Sequence, residues 1–252
     1  MNPWLTATPP TVVAAAAGVI AYGAAHPRSQ LFGSTICHTN SPRKLALTFD
    51  DGPNPAITPK LLDLLDRYKA KATFFIIGKF ARECPELLKE TAERGHAIGN
   101  HSDAHPNLLW LNPDKISIEL RCCNISIKAA IGAPPKWFRP PFGMRNPWVV
   151  PSARELGQRV VMWTLIPGDW RATSSEWLIP RLQPIATRAQ RNLSAARPAS
   201  HGDILCLHDG GHRQLNTDRL PTLAALEHWL PRWRDLDLEF VTIEEAVQTP
   251  AP

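Results

Sequence analysis

From Arg43 onward, short apolar runs alternate with stretches in which apolar residues recur every three or four positions. A short apolar run closed by turn residues predicts a buried strand, and the first such run, Leu45–Phe49, is followed by an Asp-Asp-Gly-Pro turn. The other predicted strands are Ala72–Ile77, His96–Gly99, Trp137–Phe138, Arg159–Trp163, Ile204–Leu207 and Leu238–Val241. The stretches between them have the spacing of amphipathic helices.

Helix caps and helix-stopping residues mark where these helices begin and end. Thr58 offers a cap and Pro59 a first helical position, while Gly132 is suited to end the longest helix. The predicted helices are Thr58–Tyr68, Pro85–Gly95, Asn112–Gly132, Trp148–Leu156 and Pro221–Trp233. The stretch Arg188–His201, rich in Ala, Arg, Pro and Ser, is expected to be a loop or a helix end rather than a linker.

About seven strand-helix units in alternation predict an α/β fold, in which helices wrap a parallel sheet that closes as an irregular (β/α) barrel. Chemistry in such barrels gathers at the carboxyl ends of the strands. Six chemically suggestive residues lie at or just after predicted strand ends: Asp50, Asp51, His101, Arg139, Asp169 and His208. We therefore expect these residues to meet on one rim.

The first thirty residues differ from the rest and are treated as a segment distinct from a domain spanning residues 31–252. The run Thr11–Ala25 is apolar but dominated by Ala and Gly, and it is short for a membrane span. It has the length of a secretory h-region, although no Lys or Arg precedes it. We expect an extracytoplasmic protein, secreted or membrane-anchored, with membrane contact through residues 11–25. The alternative is an exposed Ala-rich tail or helix.

Composition narrows the classes of function. With 252 residues, 44% of them hydrophobic, the chain is long enough to bury a sizeable core in one domain. The net charge is +5, but the most basic stretch, Arg181–Arg197, is interleaved with Ala, Pro and Ser rather than aromatics, so nucleic-acid binding is not expected. Five cysteines are an odd number, and Cys122 and Cys123 are adjacent, so no disulfide framework follows.

Two short motifs suggest a metal site. His101 and His105 are four positions apart and would share a face if that segment were helical, and an aspartate from the Asp50-Asp51 pair would add a third ligand. Three such ligands leave a position open for water, as in catalytic zinc sites. The second aspartate would remain free to accept a proton. Taken alone, the aspartates could be an acidic turn and each histidine a structural residue.

Five motifs in order carry a resemblance to a known family. They are Thr-Phe-Asp-Asp-Gly-Pro (48–53), His-Ser-Asp-Ala-His (101–105), Arg-Pro-Pro-Phe-Gly (139–143), Gly-Asp-Trp (168–170) and Leu-His-Asp (207–209). Over residues 43–245 the chain resembles the polysaccharide deacetylases, which are carbohydrate esterase family four and share the NodB homology domain. Any one motif alone would be unspecific, but the set is highly specific.

The resemblance implies a role for each matching residue. Asp51, His101 and His105 would bind a divalent metal, expected to be zinc, with cobalt as an alternative. Asp50 would be the general base and Arg139 would hold it in position. His208 would be the general acid and Asp169 would orient it and favour its charged form. Asp209 is expected to be a structural hydrogen-bonding residue.

The remaining implied roles concern the substrate. The backbone N–H of Phe142 would stabilise the oxyanion, and Leu207 is grouped with it as a substrate contact. Trp170 would be either a wall of the acetyl pocket or ordinary core. Cys206 occupies a position that is commonly Leu in the family and by strand alternation points to the side of His208, which predicts a roomier pocket; a nucleophilic Cys206 is the alternative. His212 could touch substrate.

The expected function is metal-dependent removal of N-acetyl groups from glycans that contain N-acetylglucosamine, such as peptidoglycan or chitin-like oligomers. Two alternatives stay open: a hydrolase of the same fold acting on a small non-sugar amide or imide, and a glycan-binding homologue without turnover. The expected partner is the N-acetylated glycan itself.

Overall fold

The apolar runs form one parallel sheet. The computed structural model describes residues 9–197 and 199–248, so residues 1–8 of the predicted N-terminal segment and residues 198 and 249–252 of the predicted domain lie outside the described residues. In the described part of the chain the strands are β1 (Thr35–Ile36), β2 (Lys44–Gly52), β3 (Thr73–Ile76), β4 (Ala97–Asn100), β5 (Trp137–Phe138), β6 (Arg159–Val161), β7 (Asp203–His208) and β8 (Glu239–Val241).

The strand order makes the sheet an incomplete barrel. It runs β1-β6-β5-β4-β3-β2-β7, and β8 pairs with the amino-terminal part of β2. The two edge strands, β1 and β7, are not paired with each other; the chain after β6 contacts β7 instead, through a bridge between Leu165 and Leu205. The predicted α/β irregular barrel is confirmed. The two-residue strand β1 was not predicted, because it is too short to carry a pattern.

Helices cover the sheet. They are α1 (Pro9–Ala25), α2 (Thr58–Arg67), α3 (Gly78–Glu83), α4 (Pro85–Glu93), α5 (Pro113–Ile131), α6 (Val149–Glu155), α7 (Ser175–Ser194), α8 (Leu220–Asp235) and α9 (Ile243–Val247). The predicted caps of α5 are present: the Asn112 side chain accepts a hydrogen bond from the Lys115 N–H, and Gly132 is left-handed, with φ 82°. The five predicted helices correspond to α2, α4, α5, α6 and α8.

Helix α7 was missed by the sequence analysis. Pro180 and Pro184 lie inside it, and a proline in a helix interior removes a hydrogen-bond donor and clashes with the preceding turn. Buried residues at helical spacing, among them Leu178, Leu182 and Ile185, hold it against the rest of the protein. The stretch expected to be a loop or helix end, residues 188–201, is the end of α7 followed by a loop.

Alternation along the strands separates two hydrophobic clusters. In β2 the side chains of Leu45, Leu47 and Phe49 face the helices and join a cluster with α2, α7 and α8. Ala46 faces the other way and joins a second cluster that includes Ile204 of β7 and Met162. Because successive side chains point to opposite faces, Asp50 projects with Ala46 to the inside of the curled sheet.

The apolar N-terminal segment forms α1, which contacts the rest of the chain at its carboxyl end. There the Arg145 N–H donates to the Ala24 carbonyl, and the Arg145 guanidinium donates to the carbonyls of Gly23 and His26. Residues 11–22 are exposed along their whole length. Among the described residues, no helix combines the length and apolar character that crossing a bilayer would require.

Candidate active site

The chemically suggestive residues surround one cavity at the carboxyl ends of the strands. Asp50 and Asp51 lie near the end of β2, His208 ends β7, and His101 directly follows β4. The cavity has a volume of about 830 Å³. Its lining includes Asp50, Asp51, His101, His105, Phe142, Trp170, His208 and His212. These residues come from motifs that are far apart in sequence, and they meet on one rim as expected.

Asp51, His101 and His105 form a compact buried triad. The Asp51 Oδ1 atom is 3.3 Å from His105 Nε2 and 3.6 Å from His101 Nε2. His101 Nδ1 is 2.7 Å from the Arg139 carbonyl oxygen, and because a carbonyl only accepts, Nδ1 must carry the proton. Nε2 is therefore the ring nitrogen of His101 that faces Asp51, and the ring is oriented by a second-shell hydrogen bond, as in metal sites.

The triad fits a divalent metal. Asp51 Oδ1 is buried and has no hydrogen-bond donor among the described residues, which is costly unless a cation compensates for it. Burial, reinforced by neighbouring histidines, lowers the pKa of His105, so its imidazole is neutral, the form that binds metals. Two imidazoles and one carboxylate suit zinc in donor type and number.

The histidine pair is held by a loop, so the helical segment considered for it is absent. Ser102 and His105 both have positive φ, 66° and 60°. The Asn100 side chain accepts from the Ser102 N–H at 2.7 Å, and the Ser102 hydroxyl accepts from the His105 N–H at 3.0 Å. These hydrogen bonds fold the loop so that both imidazoles meet Asp51. Ser102 was not recognised from the sequence, although it stands inside the motif.

Asp50 has partners quite different from those of Asp51. Its Oδ1 accepts from Arg139 Nη1 at 2.8 Å, and its Oδ2 is 3.4 Å from Cys206 Sγ and 3.8 Å from His101 Nε2. Burial would raise the pKa of Asp50, but Arg139 and the nearby histidines lower it below its ordinary value. Asp50 is therefore an ionised carboxylate beside the triad.

Arg139 is completely buried inside the curled sheet. Besides Asp50, it donates to the Thr48 hydroxyl at 2.7 Å and to the carbonyls of Val161 and Met162 at 3.3 and 3.1 Å. Its guanidinium also lies 4.2 Å above the centre of the Phe75 ring. These contacts fix the cation and, through it, the orientation of the Asp50 carboxylate.

His208 and Asp169 form a second pair, next to Asp50 on the neighbouring strand β7. His208 Nδ1 is 2.9 Å from Asp169 Oδ1, and the backbone N–H of His208 donates to Asp169 Oδ2 at 2.8 Å. Thr222 adds a further hydrogen bond to Asp169 Oδ2. Burial alone would lower the pKa of His208, but Asp169 raises it to about 9. His208 is thus a protonated imidazolium near neutral pH.

Two aromatic residues are exposed at the mouth of the cavity. Trp170 is 42% exposed and its ring packs edge-on against His208, with centroids 5.1 Å apart, so the reading as ordinary core does not fit its position. Phe142 is 54% exposed, has a φ of 58°, and its ring packs edge-on against His105 at 4.6 Å. The oxyanion role of the Phe142 N–H stays a prediction.

Leu207 and Cys206 do not lie where substrate contacts were expected. Leu207 is fully buried in the cluster that faces the helices, because alternation along β7 turns it away from His208. Cys206 does point inward but is also fully buried, behind Asp50. Burial and the Asp50 charge raise the pKa of the Cys206 thiol well above its ordinary value. A protonated, enclosed thiol is unsuited to be a nucleophile.

Asp50, Cys206 and His208 also lie close enough together to hold a metal. The chemistry of these donors argues against one. The thiol is protonated and donates to Asp50, while Asp50 is engaged by Arg139 and His208 by Asp169. The cluster is therefore better described as the place where the ionised Asp50 carboxylate and the protonated His208 imidazolium approach each other.

The segment Asp209-Gly210-Gly211, which follows His208, packs against the backbone of Asp51 and Gly52. Asp209 is buried and hydrogen-bonded to the Thr58 hydroxyl; burial raises its pKa to about 7, and its position agrees with a structural role. A Cβ on Gly210 would lie 2.0 Å from the Asp51 carbonyl oxygen. Only glycine allows this approach, and the sequence analysis did not recognise Gly210.

His212 lies next to the triad. Its ring stacks on that of His105 with centroids 4.6 Å apart, and its Nδ1 is 4.0 Å from Asp51 Oδ2. Lys79 donates to the His212 carbonyl at 2.8 Å and so fixes the loop. No spacing rule in the sequence links residue 212 to residue 105, and the contact arises only from folding.

Comparison with known proteins gives consistent results. A sequence profile of polysaccharide deacetylases matches residues 38–161, a range that contains Asp50, Asp51, His101, His105 and Arg139. The chain is 35% identical over 209 residues to a peptidoglycan-N-acetylglucosamine deacetylase of Bacillus cereus, covering 83% of this chain and 90% of that protein. It is 33% identical over 208 residues to a chitooligosaccharide deacetylase of Azorhizobium caulinodans, covering 80% and 93%.

A solved structure has the same architecture. It is a mutant of a CE4 family pseudoenzyme with restored enzymatic activity, which superposes with a TM-score of 0.72 at 26% identity, covering 85% of this chain and 71% of that chain. The fold can therefore exist with or without activity. The residues at the cavity, more than the fold, must decide the function of this chain.

Proposed function

The chain belongs to the polysaccharide deacetylase family, and we propose on that basis that it is a divalent-metal-dependent hydrolase that removes N-acetyl groups from glycans containing N-acetylglucosamine. One observation carries the proposal. A carboxylate held ionised and an imidazole held protonated face the same cavity, beside three side chains suited to a metal. Amide hydrolysis requires this combination, because one group must accept a proton and another must donate one.

In the proposed mechanism the metal would be held by Asp51, His101 and His105. When bound, a divalent cation supplies Lewis-acid polarisation of the acetyl carbonyl and lowers the pKa of water. Asp50 accepts the proton of the attacking water, and Arg139 keeps Asp50 ionised and correctly turned. His208 donates its proton to the departing amine nitrogen. Its protonation is maintained by Asp169.

The other cavity residues would bind the substrate. The Phe142 N–H is proposed to donate to the developing oxyanion, and the exposed face of Trp170 to form a wall beside the acetyl group. The relatives are named for peptidoglycan and chitooligosaccharides, and N-acetylglucosamine is common to both polymers. We therefore propose this sugar as the substrate unit. Zinc is proposed as the metal because two imidazoles and one carboxylate suit it, with cobalt as an alternative.

The test is acetate release from peptidoglycan and from chitooligosaccharides by the full chain supplied with zinc or cobalt. We expect release from at least one of them and none after Asp50→Asn, while this variant still binds metal. His101→Ala should instead lower metal affinity. Equal metal loss in the two variants would contradict the assignment of base and ligand. A fully metallated protein that releases no acetate, or that cleaves only small amides, would favour one of the two alternatives.

We also propose an extracytoplasmic location, with residues 11–25 contacting a membrane. The proposal is supported by Val12, Val13, Val19 and Ile20 of α1, which are 56–67% exposed and have no charged residue between them. Contact with a bilayer would remove these apolar side chains from water, which is favourable. In flotation with neutral lipid vesicles, Ile20→Asp should reduce binding, whereas Ile118→Asp on α5, equally exposed, should not. Equal binding by both variants would contradict the proposal.

A further inference from the structure

A second cavity lies at the end of the barrel opposite the active site. Its volume is about 690 Å³. Lys44 and Asp203, the first residues of β2 and β7, contribute to its wall, whereas the active site is at the far ends of the same strands. At about 3.3 Å per residue, the two ends of β2 are roughly 26 Å apart. The two cavities are therefore separate.

This cavity exists because the barrel does not close. Thr35 and His38 line it on the β1 side and Asp203 on the β7 side, and these strands are the unpaired edges of the sheet. Helix α7 covers the gap and contributes Arg188 and Arg191. We name this space, between β1, β7 and α7, the seam cavity.

Positive charge accumulates around the seam cavity. Four of its lining residues carry a permanent positive charge: Arg28, Lys44, Arg188 and Arg191. The lining contains one carboxylate, Asp203, which pairs with Arg188 Nε at 2.9 Å. Four positive charges and one negative leave a net charge of +3. The stacked rings of His38 and His201, 4.1 Å apart, add further donors at the rim. A concave surface with one sign of charge attracts ions of the other sign.

Among the described residues, the carboxylate of Asp203 satisfies only Nε of Arg188, and other donors of these cations have no anionic partner. Arg188 Nη2 is buried and has no hydrogen-bond acceptor among the described residues. Within that same part of the chain, Arg191 has no carboxylate in ion-pair range, and Lys44 Nζ donates to the Glu245 backbone carbonyl rather than to an acid. The Arg188 side chain as a whole is 41% exposed, but its Nη2 atom is enclosed, and a buried N–H without an acceptor is unfavourable. A bound anion would remove this cost.

We propose that the seam cavity binds a phosphate group. Arg188 and Arg191 lie on the same helix, and each planar guanidinium presents donors that match phosphate oxygens. The net charge of +3 around the cavity suits a phosphate dianion better than a single carboxylate. Ile185, Ala189 and Leu238 form an apolar part of the wall that can accommodate the organic portion of a phosphate ester. The volume lies within the range of small-molecule sites.

Calorimetric titration of the metal-loaded full chain with inorganic phosphate and with pyrophosphate tests the proposal. Arg191→Gln should weaken binding about tenfold or more, and Arg188→Gln likewise. The matched control is Arg181→Gln on the same helix, whose guanidinium stacks on Trp177 at 3.5 Å outside the cavity. The control should bind like the unmodified protein. Thermal melting without phosphate establishes that each variant is folded; within the described part of the chain, Arg191 makes no ion pair that the substitution would break.

Crystals soaked in tungstate, a phosphate analogue with strong anomalous scattering, locate the ion. Density between Arg188 and Arg191 supports the proposal. Density confined to the active site, or affinity unchanged in both variants, means an adventitious ion only and overturns it.

Two further arms identify the source of the phosphate: a soluble sugar phosphate, and vesicles of phosphatidylcholine with phosphatidylglycerol. Arg191-dependent binding in either arm supports the site and names its ligand, whereas Arg191-dependent binding of inorganic phosphate alone supports a site for the free anion.

Discussion

Asp50 and Asp51 are neighbours in the chain but have different surroundings. Asp50 is still in extended register with His208 of β7, whereas Asp51 has a φ of 71° and begins a bulge in the pairing with β3. The change in backbone direction turns Asp50 toward Arg139 and Asp51 toward the two histidines. Two identical side chains can therefore differ in proton and metal chemistry.

The tight contact between Gly210 and Asp51 leads to the first prediction. A methyl group at position 210 would collide with the Asp51 carbonyl oxygen, so Gly210→Ala should displace the ligand and weaken zinc affinity by about 10 to 100-fold. A chelator competition titration measures the affinity. The control is Gly18→Ala on α1, where an added methyl meets no atom within 4 Å. Unchanged zinc affinity in Gly210→Ala would contradict the prediction.

A second prediction concerns the pH dependence of hydrolysis. The acid must be protonated and Asp169 raises the pKa of His208 to about 9, so kcat/KM should fall as pH rises through about 9. Asp169→Asn removes the charge that raises the pKa of His208, whereas burial, which lowers that pKa, remains. The alkaline decline of kcat/KM should therefore move to lower pH. In His208→Ala the alkaline decline of kcat/KM should disappear, and activity near neutral pH should be reduced by about 10² to 10⁴-fold.

The pH profile of Asp169→Asn distinguishes a role in proton transfer from a structural one. Loss of rate at every pH without movement of the alkaline decline would mean that Asp169 only supports the fold. An unmoved decline in His208→Ala would remove His208 from the proposed role as acid.

At the scale of elements, burial determines which strands and helices can be recognised from the sequence. The strands β2, β3 and β7 are almost entirely buried, so their apolar runs are continuous and were recognised. Helix α5 has both of its caps in the sequence. Helix α7 has neither a clear cap nor a proline-free interior, and it is held by tertiary contacts that the local sequence does not reveal.

Strand β4 is preceded by a buried histidine that leads to a third prediction. His96 is 5% exposed, and its Nδ1 accepts from the Ala72 N–H at 3.2 Å, which requires an unprotonated Nδ1. Burial, with Lys71 nearby, lowers its pKa from 6.5 to about 4. Between these values the unfolded chain binds a proton that the folded one does not. The free energy of unfolding should therefore decrease as pH falls from 6.5 to 4, by up to about 3 kcal/mol.

Urea unfolding across this pH range tests the contribution of His96. His96→Asn keeps an acceptor for the Ala72 N–H but does not titrate, so the variant should be less stable at pH 7 yet lose less stability on acidification. The control is His38→Asn, at an exposed position. A pH dependence identical to that of the unmodified protein would show that His96 is not responsible.

At the scale of the whole molecule, the incomplete barrel creates two openings with different electrostatics. The carboxyl ends of the strands gather acids and histidines, and the seam cavity at the other end gathers arginines and a lysine. Both are consequences of topology. Parallel strands bring all their carboxyl ends together, and an unclosed sheet leaves a gap between its edges.

A fourth prediction links metal binding to global stability. The triad comes from two separate parts of the chain, the end of β2 and the loop after β4, which meet only when both strands have paired with β3, so the metal binds the folded state. At 100 times its dissociation constant, zinc should add about 2.7 kcal/mol, which is roughly 5–10 °C in melting temperature for a chain of this size. His105→Ala should lose most of this increase. A metal-independent melting temperature in the unmodified protein would contradict the triad as a metal site.

The sequence by itself determined the kind of fold and the candidates for the site. Continuous apolar runs and amphipathic spacing specify buried parallel strands and covering helices, and the five motifs identified the family. Asp50, Asp51, His101, His105, Arg139, Asp169 and His208 were all selected before any geometry was known. Their presence in one cluster agrees with that selection, while their individual roles stay predictions.

Only the tertiary structure decided which neighbours each residue has. Alternation placed Cys206 on the side of His208, but it could not tell that Cys206 is enclosed behind Asp50, because this depends on the neighbouring strand β2. The stacking of His212 on His105 and the gap between β1 and β7 join segments far apart in sequence. Hydrophobic patterns report what is buried along one element, whereas contacts, pKa values and cavities depend on what the other elements bring to the same place.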